Sequence, residues 1–134
     1  MYRPELIEHL VRPQNVGELS EPDGFGESGH AACGDVVRFT VRISNGTVAA
    51  VGYKAYGCAP CIAAGSAMTE LIQGESIIRA AAISREDLRR ALGGELPEGK
   101  EHALTLVLDA LHRALEDYWN REAEEADLVE GYRG

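Results

Sequence analysis

From Asp35 to Ile43 apolar and polar residues alternate. Val37, Phe39, Val41 and Ile43 fall on one side, Arg38, Thr40 and Arg42 on the other. A period of two marks a strand with one buried face. Ser44-Asn45-Gly46 reads as a turn, and Thr47 to Tyr56 as the return strand of a hairpin. Two registers compete. A two-residue Asn-Gly turn sets Val37 against Lys54. A three-residue loop with Gly46 left-handed sets Val41 against Ala49, Phe39 against Val51 and Val37 against Tyr53. The second keeps one face apolar and is the one expected. It places Asp35 opposite Ala55 and Cys33 opposite Gly57. Cys33 and Cys58 are neighbours in either register.

The remaining apolar positions follow a helical period. Tyr2, Leu6, Ile7, Leu10 and Val11 share a face, which predicts a short helix over 2–11 ended by Arg12-Pro13. Residues 13–34, rich in Gly, Pro, Asn and Ser, read as loop with an irregular edge strand around Gly24–Ala32. Cys61 to Gln73 predicts a helix between Pro60 and Gly74. Two short helices follow, capped by Ser76 and by Ser84, with Asp87 in the capping-box position of the second. Leu104, Val107, Leu108, Leu111, Leu115 and Tyr118 then form the stripe of the longest helix, 101–119, expected to lie across the sheet. From Asn120 the chain turns polar and acidic, so 1–119 reads as one domain and 120–134 as a frayed tail.

Composition narrows the partners. At 134 residues the chain can bury a core of its own. A net charge of −9 argues against nucleic acid and anionic membrane as partners. No stretch reaches the ~18 apolar residues of a spanning helix. Arg3, Glu5 and Glu8 interrupt any apolar run that could act as an export signal. Three cysteines with no such signal suggest reduced thiols in the cytoplasm rather than a disulfide framework.

The chemistry gathers around Tyr53-Lys-Ala-Tyr-Gly-Cys-Ala-Pro-Cys61, where the return strand gives way to a helix. Cys58 and Cys61 form a C-x-x-C at that helix start, a setting that favours thiolate. Cys61 also fits the apolar face of its helix, where a free Cys packs as a small hydrophobe. Cys33 arrives from just ahead of the first strand, at the same open end of the hairpin, and His102 from the first turn of the long helix. Asp35 shares the parity of the buried face, and an acidic group there needs a cation, a backbone N–H or a metal. His9 beside its apolar stripe reads as structural, and His30 as a loop residue near Cys33. Three thiolates with His102 or Asp35 would complete four-coordination of a soft metal.

Several blocks, in order, resemble the IscU/NifU N-terminal family of iron–sulfur cluster assembly scaffolds: Ile7-Glu-His9 with Pro13-Gln-Asn15-Val-Gly17, then Ala32-Cys33-Gly34-Asp35, then Tyr53-Lys-Ala-Tyr56-Gly57-Cys58, and Ile62-Ala63, Ser66, Thr69-Glu70 and Gly74. The resemblance covers residues 2–119. It implies an α+β fold, a small antiparallel sheet (a hairpin plus an edge strand) with helices packed mainly on one face, in agreement with the elements above. It implies a scaffold rather than an enzyme. Such a protein holds a transient cluster, expected to be [2Fe-2S], takes sulfur from a cysteine desulfurase and supplies apo iron–sulfur acceptor proteins. The resemblance implies Cys33, Asp35, Cys58 and His102 as ligands, with Asp35 associated with cluster lability; Cys61, at a position where the family usually has no cysteine, joins the candidate set through its C-x-x-C spacing. Protein as purified is expected to carry zinc on the same thiolates or to be partly apo. Two departures stand out. The family's third cysteine follows a histidine at the start of the last helix, and here that pair is His102-Ala103. The family's chaperone loop, Leu-Pro-Pro-Val-Lys, is Leu96-Pro-Glu-Gly-Lys100, a change in its middle that argues against recognition by the specialised chaperone. The alternative function is a zinc-binding or thiol-transfer relative that uses Cys58 and Cys61 without scaffold activity.

Overall fold

The computed structural model describes residues 2–30 and 34–133. Among these the chain order is α1 (Pro4–Val11), β1 (Gly24–His30), β2 (Asp35–Ser44), β3 (Thr47–Tyr56), α2 (Ala59–Ile72), α3 (Ile77–Ala81), α4 (Arg85–Ala91) and α5 (His102–Arg133). The strands form an antiparallel sheet in the order β1-β2-β3, with α5 laid under β1 and β2 and α2 under β3. The alternating face expected of β2 is the buried one: Val37, Phe39 and Val41 are inaccessible to solvent, as are Leu104, Val107, Leu111 and Leu115 of the α5 stripe. Each such side chain contributes about 1.5–3 kcal/mol by leaving water. On the opposite face of the sheet the segment ahead of β1 is laid down. The Leu19 N–H donates to Thr40 Oγ1, and the Gly17 N–H to the Tyr53 carbonyl.

The hairpin register differs from the expected one. The turn has two residues, with Asn45 and Gly46 both at positive φ, and Ser44 pairs with Thr47 and Ile43 with Val48. A bulge then skips Ala49, so that Arg42 meets Ala50, Val41 meets Val51 and Phe39 meets Tyr53. The extra residue inverts the parity of β3 between Val48 and Val51. Both valines thereby enter the core while Ala49 stays exposed, which a three-residue loop without a bulge does not achieve. At the far end Val36 meets Tyr56, and Asp35 lies against Gly57 instead of Ala55.

β1 is an edge strand whose outer side is covered by α5. Cβ atoms at Gly24 and Gly26 would run into the carbonyls of Ala114 and Ala110, so glycine there admits the helix backbone. Asp117 accepts from the Phe25 N–H, and Arg113 donates to the Glu27 carbonyl. These side chains occupy groups that an open edge would offer to another chain. Helix α5 does not end at 119 as expected but runs on to Arg133. Residues 121–130 are mostly Ala, Glu, Leu and Arg, good helix formers, and Arg121 pairs with Asp117 one turn back. Ser76 and Ser84 cap α3 and α4, and Asp87 completes the reciprocal capping box.

Candidate metal centre

The site stands where β2 begins, β3 ends and α2 and α5 start. Cys58 is the N-cap of α2, which starts two residues earlier than expected, because Ala59 and Pro60 already belong to the first turn. Proline is tolerated there since its missing N–H would have no partner in the helix. Gly57 makes the corner, with φ at +125°, and a Cβ on it would overlap the Asp35 carboxylate. Only a bare backbone lets the carboxylate reach the next residue, and Asp35 Oδ1 accepts from the Cys58 N–H at 3.0 Å.

Asp35 is 3% exposed. Its Oδ2 accepts from the Cys58 thiol at 3.4 Å and lies 2.9 Å from His102 Nε2. Burial raises its pKa, but the His102, Cys58 amide and thiol contacts outweigh burial and hold the carboxyl below its ordinary value. His102 opens α5. Its Nδ1 lies 3.0 Å from the Gly99 carbonyl, which leaves Nε2 facing the site, 2.9 Å from Asp35 Oδ2. Donor atoms of Asp35, Cys58 and His102 all lie within 4.8 Å of one another. One ion could touch all three after small side-chain adjustments.

Cys61 is in the third position of α2, where an N-cap side chain naturally points. Its Sγ is 3.4 Å from Cys58 Sγ, yet the residue is wholly buried behind it. The expected thiolate-favouring setting is reversed at Cys61: burial pushes its thiol pKa up, and the neighbouring Cys58 and Asp35 push it further. The structure thus brings Asp35, Cys58, Cys61 and His102 together, with Cys61 at the base. Cys33 lies outside the described residues.

The sequence blocks around the N-terminus turn out to position α2. His9 Nδ1 meets Ser66 Oγ at 2.7 Å, the same oxygen accepts from the Gln14 N–H, and Asn15 Nδ2 donates to Thr69 Oγ1. His9 is structural, as expected. Tyr53 O–H donates to the Ile62 carbonyl in the first turn of α2. Burial pushes that phenol up to about 12, so it remains a donor near neutral pH. Three supporting residues were not singled out from sequence: Gly57, Gly99 and Tyr53 as an anchor. The glycine directly before Cys58 was the available signal.

Residues 1–125 match the NifU-like N terminal domain family. The chain belongs to this family. A NifU/MnmA bifunctional protein of Rubrobacter xylanophilus is 60% identical over 124 residues, 92% of this chain but 25% of that protein, so the chain spans a quarter of that relative's length. The iron–sulfur cluster assembly scaffold protein IscU of Aquifex aeolicus is 36% identical over 132 residues, covering 96% of this chain and 83% of that one. The crystal structure of a nitrogen-fixing NifU-like protein (N-terminal) from Brucella abortus superposes with a TM-score of 0.69 at 20% identity, covering 88% of this chain and 94% of that one, which supports the same α+β fold. Against this NifU-like background, Ala103 stands where the resemblance implies a third cysteine, and it is wholly buried. No helix among the described residues is long and apolar enough to cross a membrane.

Proposed function

We propose that this chain is a scaffold on which iron and sulfide are joined into a cluster, and from which the cluster passes to acceptor proteins. The observation that carries the reading is the convergence of a thiol, an imidazole and a carboxylate at the mouth of the site. Thiolate and imidazole suit iron and zinc, and mixed cysteine and histidine ligation of a [2Fe-2S] cluster is chemically sound. The ligand set we propose is Cys58, Asp35 and His102, joined by Cys33, two residues ahead of Asp35 in the sequence, and by Cys61. Two thiolates on one tetrahedral ion with ~2.3 Å bonds sit about 3.8 Å apart. The 3.4 Å between Cys58 and Cys61 therefore needs only a slight opening.

Lability follows from what the ligands do without cargo. Asp35 has resting partners in the Cys58 N–H and His102, and His102 in Asp35 and the Gly99 carbonyl. When a cluster leaves, neither group is left buried and unpaired, so release carries a smaller penalty. The Gly99 contact keeps Nε2 aimed at the site throughout. The sulfur source is a cysteine desulfurase, the recipients are apo iron–sulfur proteins, and the compartment is the cytoplasm. Zinc takes the same ligands when the protein is isolated in air.

The test is anaerobic reconstitution with ferrous iron and sulfide, read by visible absorption and Mössbauer spectroscopy. The expected result is a [2Fe-2S] spectrum that Cys58→Ser abolishes. A chain that binds zinc tightly but never yields a cluster would instead be the zinc-bound relative without scaffold activity.

A further inference from the structure

We propose that Cys58 and Cys61 form a reversible disulfide that closes the site to metal, so that the chain takes cargo only when this pair is reduced. The two Sγ atoms are already 3.4 Å apart, and forming the bond requires them to approach to ~2.05 Å. The spacing is built into the backbone. Cys58 is the N-cap and Cys61 the third helical residue, and the Cys61 N–H donates to the Cys58 carbonyl at 3.1 Å, which fixes their separation. The two sulfurs differ in access. Cys58 is partly exposed and Cys61 is wholly buried behind it. An incoming reagent therefore meets Cys58 first, and Cys61 can react only with the Cys58 sulfur. That asymmetry of an outer attacking thiol and an inner resolving one is what a thiol–disulfide couple needs.

The oxidant is a low-molecular-weight disulfide. The Cys58 thiolate attacks one of its sulfurs, a mixed disulfide forms, and the first small thiolate leaves. The Cys61 sulfur then attacks the Cys58 sulfur, the Cys58–Cys61 bond forms and the second small thiolate leaves. The two protons lost by the protein end on the two small thiols, and the two electrons of the new bond's oxidation reduce the reagent. A small dithiol reverses both steps. In the closed form Cys58 has no thiolate to offer beside Asp35 and His102, and the trio at the mouth is reduced to a carboxylate and an imidazole. The bond itself stands on the sulfur geometry alone, whereas its effect on cargo rests on the proposed function.

The experiment treats the reduced, metal-free full chain with glutathione disulfide. Samples are then digested with trypsin and weighed, and zinc uptake is measured in parallel. Residues 55–79 form one tryptic peptide holding both Cys58 and Cys61, whereas Cys33 falls on another. The expected product is peptide 55–79 lighter by two hydrogens without an adduct, restored by dithiothreitol, and formed equally well in Cys33→Ser. Cys61→Ser should stop at a glutathione adduct on Cys58. The closed wild type should bind zinc at least roughly tenfold more weakly than the reduced chain. A stable adduct on Cys58 in the wild type, a bond to Cys33 instead, or equal zinc binding by both forms would overturn the inference. If the reduced chain takes up zinc reversibly with the disulfide but never assembles a cluster, the scaffold reading fails and this inference stands.

Discussion

Gly57→Ala is the change to which the site should be most sensitive, although residue 57 offers no side chain to anything. Two costs combine. At φ +125° an L-residue is strained by about 1–3 kcal/mol. The new methyl would also occupy the position of Asp35 Oδ1, so the carboxylate must swing away from the Cys58 N–H and His102. Leaving those groups unpaired adds about 1–3 kcal/mol. The expected total is about 3–4 kcal/mol, which for a chain of this length lowers Tm by roughly 10–20 °C. Thermal and urea unfolding of the metal-free chain measure it. The Asp35→Ala background separates the two costs, because the carboxylate is then gone. There Gly57→Ala should cost about 1–2 kcal/mol, from the backbone strain and the remaining 2.9 Å approach to the residue 35 Cα. If Gly57→Ala changes stability by less than about 0.5 kcal/mol, or costs as much without Asp35 as with it, the corner does not hold the carboxylate in place.

Other outcomes follow from the same geometry. Cys61→Ser should abolish cluster reconstitution as fully as Cys58→Ser if Cys61 is a ligand, and Ala103→Cys should restore it; wild-type yield in Cys61→Ser would assign Cys61 to packing and disulfide chemistry. Glu101 binds Arg89 through both carboxylate oxygens and tethers α4 to the start of α5, and that contact, with Arg85 adding to it, lowers its pKa below 4.5. The stabilisation is present above the unfolded pKa and lost as pH falls through the folded one, so Glu101→Gln should unfold about 0.5–1 kcal/mol more easily at pH 7 and converge on wild type as the pH falls below the folded pKa. Gly26→Ala should push α5 away from β1 and cost about 1–3 kcal/mol in a urea titration, since the obstacle is the Ala110 and Ala114 backbone rather than a movable side chain.

Much of this architecture was legible because periodicity is set by burial. The β2 alternation named Val37, Phe39 and Val41 and the α5 stripe named Leu104, Val107, Leu111 and Leu115 as buried, while Ile43, Leu108 and Tyr118 are half-buried and Thr40, read onto the polar face, is buried; Ser76, Ser84 and Asp87 named their caps. The bulge at Ala49 was not legible. Both competing turns fit Asn45-Gly46, and nothing local to Ala49 says that β3 will invert its parity to bury Val48 as well as Val51. The extent of α5 is not legible either: the acidic run after Asn120 has the composition of a frayed end, whereas helix propensity and paired charges carry the helix on. At the site, the cysteines, Asp35 and His102 were visible as residue types. Their roles were not: that Cys61 sits behind Cys58 rather than beside it depends on where α2 begins, and a two-residue difference in that start moves Cys58 to the N-cap. Helix boundaries are the least determined feature of a sequence pattern.

On the proposed function, cargo is assembled at this site and then handed on. The most direct measurement loads the chain with a cluster anaerobically, mixes it with an apo [2Fe-2S] protein in excess iron chelator, and follows the acceptor's circular dichroism. The acceptor signal should appear at the rate the scaffold signal decays, despite the chelator, and Asp35→Ala should hold its cluster longer because the weak oxygen ligand that eases release is gone. If the iron goes to the chelator and the acceptor remains apo, the chain is a metal-binding protein and the scaffold account is wrong.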